Sequence, residues 1–250
     1  MRRVSVTVGR DAVEAARAEM LALFPEGFEE SERGDQLVLS AYADGRGEGR
    51  MAAAFGDVVA TEVSADWEER WKRFHRPVSA AGLWIVPPWE DPPRGADFVV
   101  IDPGRAFGTG AHPTTRLCLE ILGELEPGSL LDIGCGSGVL SIAAAKLGFA
   151  PVVGLDSDEH AVEAARANAA ANGLALDFEQ ADALVEPLPE ADVAVANLTA
   201  ELVAQVGRRM DCALLVSSGY FEAHVPALPR FRAVGRRTLD GWAADLYARE

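Results

Sequence analysis

The chain has 250 residues, of which 49% are hydrophobic and 25% are charged. This composition is typical of a globular protein and excludes disordered and fibrous classes. No apolar run approaches the roughly 20 residues that span a bilayer, so no membrane segment is expected. The first residues alternate between apolar and polar, as in a strand, and lack the apolar core of a signal peptide. We therefore expect a cytoplasmic protein.

The charge balance limits the kinds of partner. The chain carries 23 Lys and Arg residues against 39 Asp and Glu residues, a net charge of −16. Such a surface repels phosphate backbones, so direct nucleic-acid binding is not expected. It would attract a basic protein substrate, and acidity that merely aids solubility is the alternative. The three cysteines form no C-x-x-C pair, so neither disulfides nor a metal site are predicted.

Residues 1–63 are predicted to form a small α+β domain. The alternation of apolar and polar residues indicates four strands, and helical spacing indicates two helices, the second after a loop over Asp44–Gly49. The strands are predicted at Arg3–Val8, Phe28–Glu32, Gln36–Tyr42 and Val58–Val63, and the helices at Asp11–Leu23 and Met51–Phe55. This βαββαβ order is the ferredoxin-like plan.

Residues 64–94 are predicted to connect this domain to the rest of the chain. Trp67, Trp71, Phe74 and Val78 recur at helical spacing, which indicates an amphipathic connector helix. Its aromatic stripe is expected to pack on a domain, with a partner surface as the alternative. The proline-rich segment 87–93 then predicts a stiff linker or an exposed turn.

Residues 95–250 are predicted to form an α/β domain. Strands and helices alternate, which indicates a parallel sheet with helices on both faces. Strands are predicted at Phe98–Ile101, Leu130–Ile133, Val152–Leu155, Ala175–Glu179, Val193–Ala196 and Ala213–Val216, and helices at Thr114–Leu125, Val139–Leu147, Glu159–Asn172 and Ala200–Arg208. No long helix separates Phe231–Val234 from Ala244–Ala248, which indicates an antiparallel hairpin at one edge of the sheet.

The strongest local motif is a glycine-rich turn between a strand and a helix. Gly134, Gly136 and Gly138 alternate with Cys135 and Ser137. Glycines allow a sharp turn and a close approach of a ligand to the backbone. The G-x-G-x-G spacing differs from the G-x-G-x-x-G of dinucleotide-binding proteins, which disfavours a nicotinamide oxidoreductase. The pattern favours an adenosyl cofactor such as S-adenosylmethionine, and a tight turn with surface acids is the alternative.

Three carboxylates lie at or near the ends of neighbouring predicted strands. Asp132 precedes the glycines and could bind the amino-acid end of S-adenosylmethionine. Asp156 ends the next strand and could accept hydrogen bonds from both ribose hydroxyls. Asp182 follows the third strand and could accept a hydrogen bond from the adenine amino group. The carboxyl ends of parallel strands share one sheet edge, so we expect a single crevice.

Asn197 follows the fourth strand at the same edge. Its side-chain oxygen and a neighbouring backbone carbonyl could hold an acceptor amine, as in enzymes that methylate nitrogen. The alternative is that Asn197 only caps the next helix. The sequence Asn-Leu-Thr-Ala, in place of Asn-Pro-Pro-Tyr, disfavours an adenine-base or glutamine-amide acceptor.

A loop rich in glycine and proline precedes the helix that begins near Thr114. Phe107 in this loop could wall the site and is a candidate catalytic residue. Thr114 or Thr115 could cap the helix or contact the cofactor. His112 could serve as a base, but a lone loop histidine beside Pro113 favours a structural role.

Several of these segments resemble the PrmA family, bacterial methyltransferases that act on ribosomal large-subunit protein eleven. The resemblance covers about three quarters of the chain, from Asp66 to the C-terminus. It is carried by Asp66-Trp67-Glu68-Glu69-Arg70-Trp71, Phe74-His75, Asp102-Pro103-Gly104, Phe107-Gly108-Thr109-Gly110, His112-Pro113-Thr114-Thr115, the glycine-rich motif, Gly154-Leu155-Asp156 and Ala196-Asn197-Leu198.

The resemblance implies a class I methyltransferase domain with a Rossmann-like seven-stranded sheet, behind a ferredoxin-like substrate-recognition domain. It implies cofactor contacts at Thr115, Gly134, Asp156 and Asn197. The implied reaction is N-methylation of lysine ε-amines and of an α-amine of a ribosomal protein. We expect the enzyme to be a monomer. The alternatives are methylation of another protein lysine or a small amine, and a non-catalytic module that binds an adenosyl cofactor.

Overall fold

The computed structural model describes residues 2–9, 12–24, 27–34, 36–62, 75–102 and 110–250. They belong to two compact units, Met1–Phe74 and His75–Glu250. Residues 66–74, where most of the connector helix is predicted, lie outside the described residues, and so does Phe107. In the described ranges, no helix is long and apolar enough to cross a membrane.

The first unit follows the predicted βαββαβ order. Its elements are β1 (Arg2–Gly9), α1 (Val13–Leu23), β2 (Glu29–Arg33), β3 (Gln36–Ala43), α2 (Gly45–Phe55) and β4 (Val59–Glu62). The strands form an antiparallel sheet in the order β2-β3-β1-β4. Alternate residues of β1 and β3 pack on the helices in a core that includes Val4, Val6, Met20, Leu39 and Met51.

Helix α2 corrects the sequence prediction, which placed a loop over Asp44–Gly49. The three glycines at 45, 47 and 49 are poor helix formers. The helix nevertheless begins at Gly45 because Asp44 Oδ1 accepts hydrogen bonds from the backbone N–H groups of Arg46 and Gly47, at 3.0 and 2.9 Å. Gly47 also packs so closely that a Cβ would lie 2.7 Å from the Cβ of Ala43. A glycine at position 47 therefore allows close packing in the helix and does not indicate a loop.

The second unit contains the predicted seven-stranded sheet. Its strands are numbered from β8, because the three strands that precede them in the chain form a separate sheet described below. The strands of the seven-stranded sheet are β8 (Leu130–Ile133), β9 (Val152–Asp156), β10 (Asp177–Gln180), β11 (Ala191–Asn197), β12 (Cys212–Phe221), β13 (Phe231–Leu239) and β14 (Trp242–Arg249). The helices of this unit are α3 (Pro113–Leu122), α4 (Val139–Lys146), α5 (Glu159–Ala171) and α6 (Ala200–Val206). The strand order is β10-β9-β8-β11-β12-β14-β13. The first five strands are parallel, and β14 is antiparallel to β12 and β13. The edge hairpin is therefore confirmed.

Alternate residues of the parallel strands build two cores. Leu130 and Val193 point to the face covered by α3, α4 and α5. Leu131 and Ala194 point to the opposite face, covered by α6 and the segment before β11. Burial on both faces explains the nearly continuous apolar strands.

A separate three-stranded sheet differs from the prediction. It contains β5 (Val78–Ala80), β6 (Leu83–Val86) and β7 (Phe98–Val100). Val78 therefore begins a strand and does not extend the connector helix. Ala81 and Gly82 join β5 to β6 in a two-residue turn with φ of 52° and 77°. Strand β7 pairs in parallel with β6 and does not join the seven-stranded sheet.

Candidate functional site

The residues predicted to line the crevice lie at or near the carboxyl ends of four adjacent strands, β10, β9, β8 and β11. Ligands bind at this edge in open α/β sheets, and the strand order reverses direction between β8 and β11. Asp156 and Asn197 are the last residues of β9 and β11. The glycine-rich loop leaves β8 between them.

The glycine-rich loop has a backbone that favours glycine at three positions. The φ angles of Gly134, Gly136 and Gly138 are 72°, 53° and 77°. Residues that have a Cβ rarely adopt such φ angles. The backbone N–H groups of Gly134 and Cys135 both donate to the carbonyl of Leu155, at 2.8 and 3.0 Å, and fasten the loop to β9. The loop is thus held against the end of β9.

Asp156 is fixed by two backbone hydrogen bonds. Its Oδ2 accepts from the N–H of Gly136 at 2.9 Å, and its Oδ1 accepts from the N–H of Asp158 at 3.0 Å. Each carboxylate oxygen can accept a second hydrogen bond. Asp156 can therefore bind a pair of hydroxyl donors in the crevice while it holds the glycine-rich loop.

Asp132 is a buried carboxyl group beneath the same loop. Its side chain is 1% exposed. Its Oδ2 accepts from the hydroxyl and the N–H of Ser141, at 2.6 and 3.1 Å, in the first turn of α4. Its Oδ1 has no hydrogen-bond partner in the described part of the chain. Burial raises the pKa of Asp132 to about 7, against the opposing effect of the Ser141 bonds. A cationic group at Oδ1 would favour the carboxylate.

Asp182 lies just beyond β10 at the same edge of the sheet. Its Oδ1 accepts a hydrogen bond from the N–H of Leu184 at 2.9 Å. Its own N–H donates to Glu186 Oε1, also at 2.9 Å. These bonds hold a turn, and the carboxylate of Asp182 can still accept from another donor.

Asn197 has a polar atom without a partner in the described part of the chain. Its Nδ2 donates to Thr115 Oγ1 at 3.4 Å, which orients the amide. Its Oδ1 is buried and has no hydrogen-bond partner among the described residues. Burial of an unsatisfied oxygen is unfavourable, and a ligand that donates a hydrogen bond would relieve it. Thr115, which is fully buried on α3, belongs to this arrangement.

The structure contradicts the alternative in which Asn197 only caps the next helix. The cap of α6 is Thr199, whose Oγ1 accepts from the N–H of Leu202 at 3.4 Å. Leu198 reaches across to the glycine-rich loop, and a Cβ on Gly134 would lie 2.6 Å from Leu198 Cδ2. Asn197 and the loop therefore lie close together.

His112 has the structural role that the sequence favours. It caps α3, since its Nδ1 accepts from the N–H of Thr114 at 3.4 Å and lies 2.8 Å from Thr114 Oγ1. Burial lowers the pKa of His112 to about 4, so the imidazole is neutral at pH 7. A general base works best with a pKa near the operating pH, which argues against that role.

His112 belongs to an aromatic cluster that the sequence did not indicate. The other members of the cluster are Phe221, His224 and Trp242. The Trp242 ring stacks on Phe221 with centroids 4.3 Å apart and meets His112 edge-on at 4.7 Å. Phe221 and Trp242 are register partners on β12 and β14, and such long-range pairings leave no local signal in sequence.

Asn168 is a second residue that the sequence analysis missed. Its Oδ1 accepts from the N–H of Asp102 at 2.9 Å, and its Nδ2 donates to the carbonyl of Ser137 at 2.9 Å. One side chain thus joins the glycine-rich loop to the chain that follows β7. The signal is the spacing of Asn168 and Asn172, which places two amides on the same face of a helix.

The chain is similar to a family of known proteins. The family model described as "Ribosomal protein L11 methyltransferase (PrmA)" matches residues 8–223. A relative of that name from Caldicellulosiruptor saccharolyticus is 40% identical over 177 residues, which cover 67% of this chain and 59% of the relative. Another, from Aeromonas hydrophila, is 43% identical over 188 residues, covering 70% of this chain and 64% of the relative. The matched part of the chain spans about three fifths of the length of these relatives.

A solved structure is also similar. The ribosomal protein L11 methylase from Lactobacillus delbrueckii subsp. bulgaricus is 27% identical, with a TM-score of 0.63, over 70% of this chain and 99% of that one. The likeness supports the class I methyltransferase fold that the family resemblance implies. Because the family model covers most of its length, the chain belongs to the ribosomal protein L11 methyltransferase (PrmA) family.

Proposed function

We propose that this protein transfers methyl groups from S-adenosylmethionine to amino groups of ribosomal protein L11, at lysine ε-amines and an α-amine. The single observation that carries the proposal is the buried Asn197 Oδ1, which lies unpartnered within the described residues beside the glycine-rich loop. Family membership supports the choice of substrate, since the relatives are named for L11.

The crevice fits S-adenosylmethionine. Gly134, Gly136 and Gly138 have positive φ angles and no side chain, and the cofactor is proposed to lie against the backbone of this loop. Asp156 would hold the ribose hydroxyls. Asp132 Oδ1, which has no partner within the described ranges, would attract the ammonium group. Asp182 would accept from the adenine amino group, and Thr115 would line the cofactor site. When bound, the cofactor supplies an electrophilic methyl group on a positively charged sulfur.

Asn197 would orient the acceptor amine. Its Oδ1 accepts a hydrogen bond from the amine, while Thr115 keeps the amide in place. The amine has to be neutral to present its lone pair, and deprotonating a lysine of pKa ~10.4 at pH 7.4 costs about 4 kcal/mol. Partial desolvation in the crevice lowers that cost. Catalysis then rests on positioning and needs no strong base. Phe107, outside the described residues, is proposed to wall the same site.

The remaining features of the chain are consistent with such a substrate. Its net charge of −16 would steer a basic ribosomal protein toward the enzyme. The first unit is proposed to recognise that substrate. A ribosomal protein substrate implies that the enzyme acts in the cytoplasm, and we propose that it does so as a monomer.

The test is methyl transfer from labelled S-adenosylmethionine to purified L11 by the wild type, Asn197→Ala and a matched surface control, Glu201→Ala. Loss of the orienting oxygen should lower kcat on the order of 100-fold. The dissociation constant for S-adenosylhomocysteine, measured by calorimetry, should change less than threefold. Glu201→Ala, which alters an exposed residue of α6, should match the wild type.

Two outcomes would overturn the proposal. If Asn197→Ala keeps kcat within threefold of the wild type, Asn197 does not orient the amine. If the wild type leaves L11 unlabelled, L11 is not the substrate. In that case, incubation with a cell lysate separates transfer to another protein or a small amine from a module that only binds the cofactor.

A further inference from the structure

We propose that Arg236 is a positioning residue, which fixes the aromatic cluster as one wall of the pocket for the acceptor side chain. It would do so by holding the backbone carbonyls of Glu222 and His224. This inference rests on the proposed function and deepens it, because it identifies what shapes the acceptor side of the crevice.

Arg236 on β13 makes four hydrogen bonds that join three segments. Its Nε and Nη2 donate to the two carboxylate oxygens of Asp245 on β14, at 2.8 and 3.1 Å. Its Nη1 donates to the carbonyl of Glu222 at 2.9 Å, and Nη2 also donates to the carbonyl of His224 at 2.8 Å. The guanidinium therefore ties the segment after β12 to the neighbouring strands.

The anchor of this arrangement is a buried charge. Asp245 is 3% exposed and also accepts from the hydroxyl of Tyr220 at 2.8 Å. The Tyr220 hydroxyl lies 2.7 Å from Ser217 Oγ. A buried carboxylate with this many partners has one well-defined position, and a planar guanidinium can bind both of its oxygens. A lysine in place of Arg236 could pair with Asp245 but could not also reach both carbonyls.

The held segment carries the aromatic cluster. Phe221 directly precedes Glu222, and its ring stacks on Trp242, which contacts His112. His224, whose carbonyl Arg236 binds, has its ring 6.3 Å from that of Phe221. Fixing the backbone at 222 and 224 thus fixes two rings of the cluster.

The cluster lies on the acceptor side of the crevice. Asn197 pairs in register with Ser218, three residues before Phe221 on the neighbouring strand. His112 caps the helix that carries Thr115, the hydrogen-bond partner of Asn197. Both connections place the rings near the amide that would orient the amine. The hydrocarbon part of a lysine side chain packs well on aromatic rings, and an apolar wall favours the neutral amine.

The test compares Arg236→Lys with Arg237→Lys, a matched control on the same strand whose arginine pairs with Glu124. Arg236→Lys should raise KM for the acceptor protein at least fivefold. Its kcat and its dissociation constant for S-adenosylhomocysteine should stay within twofold of the wild type. A merely structural role would not separate KM from the other two constants. Arg237→Lys should leave all three unchanged.

A second measurement does not depend on the proposed function. Hydrogen–deuterium exchange of the peptide that contains residues 221–224 should be faster in Arg236→Lys than in Arg237→Lys. Unchanged exchange or an unchanged KM would overturn the role of Arg236. If the wild type transfers no methyl group to L11, the proposed function fails, and the exchange experiment still decides whether Arg236 holds this segment.

Discussion

Replacing Asp132 with asparagine is expected to abolish a pH dependence of cofactor binding that the wild type shows between pH 6 and pH 8. The pKa of Asp132 is raised to about 7 by burial, and its Oδ1 has no partner in the part of the chain that the structure describes. A ligand ammonium group beside that oxygen favours the carboxylate. Binding therefore releases a proton, and affinity increases as the pH rises through 7.

The size of the effect follows from the pKa. The protonated fraction of Asp132 has to ionise before it can bind the cation. With a pKa of about 7 in the free protein, and a carboxylate that stays ionised throughout this range in the complex, the dissociation constant is about tenfold larger at pH 6 than at pH 8. This ratio corresponds to about 1.4 kcal/mol of binding free energy.

The assay is calorimetric titration with S-adenosylhomocysteine at pH 6, 7 and 8, in buffers of different ionisation enthalpy that report proton release. Asp132→Asn should lack the tenfold change, whereas titration of the ligand's own amine affects both proteins equally. Asp192→Asn is the matched control, because Asp192 is exposed near the start of β11 and its pKa is lowered by hydrogen bonds from Ser129. A wild-type constant that varies less than twofold would refute the reasoning.

Three further predictions concern Asp156, His112 and Asn168. Asp156→Asn should raise the calorimetric dissociation constant for S-adenosylmethionine at least tenfold, because a hydrogen bond to a charged group contributes ~1.5–3 kcal/mol; an unchanged constant argues against ribose binding. Below pH 6.5 the unfolded chain protonates His112, but the folded protein does so only near pH 4. Between pH 7.5 and pH 5, the free energy of unfolding measured with urea should therefore fall by about 2 kcal/mol more in the wild type than in His112→Asn. If the two proteins lose the same amount over this range, protonation of His112 does not destabilise the folded state. Asn168→Ala should lose on the order of 3 kcal/mol of unfolding free energy, because it removes three hydrogen bonds from the Asn168 amide to the backbone of Asp102 and Ser137. Glu163→Ala, on the exposed face of the same helix, should change the free energy of unfolding by less than ~0.5 kcal/mol. If Asn168→Ala and Glu163→Ala lose equal amounts, the prediction is wrong.

The sequence predicts the parallel sheet and the strand-end residues because both depend on local patterns. Apolar strands that alternate with helices indicate a parallel sheet, and parallel strands bring their carboxyl ends to one edge. Asp156 and Asn197 could therefore be assigned to one crevice before their contacts were known. The glycines at 134, 136 and 138 were informative because the turn requires positive φ angles there.

Other features depend on tertiary context that a local pattern does not contain. The glycines of α2 suggest a loop, but the Asp44 cap and the close packing of Gly47 on Ala43 override their low helix propensity. The aromatic cluster depends on the register between β12 and β14, and the interaction of Arg236 with Asp245 depends on that between β13 and β14.

Asn172 shows how a helix can protect the edge of a strand. Its Oδ1 accepts from the N–H of Val100 at 2.8 Å, and its Nδ2 donates to the carbonyl of the same residue at 2.6 Å. These two bonds reproduce those that a neighbouring strand would make on the side of β7 opposite β6. Because the amide already occupies both backbone groups, Val100 offers no template for a strand from another molecule, and the small sheet is guarded against intermolecular growth at this position.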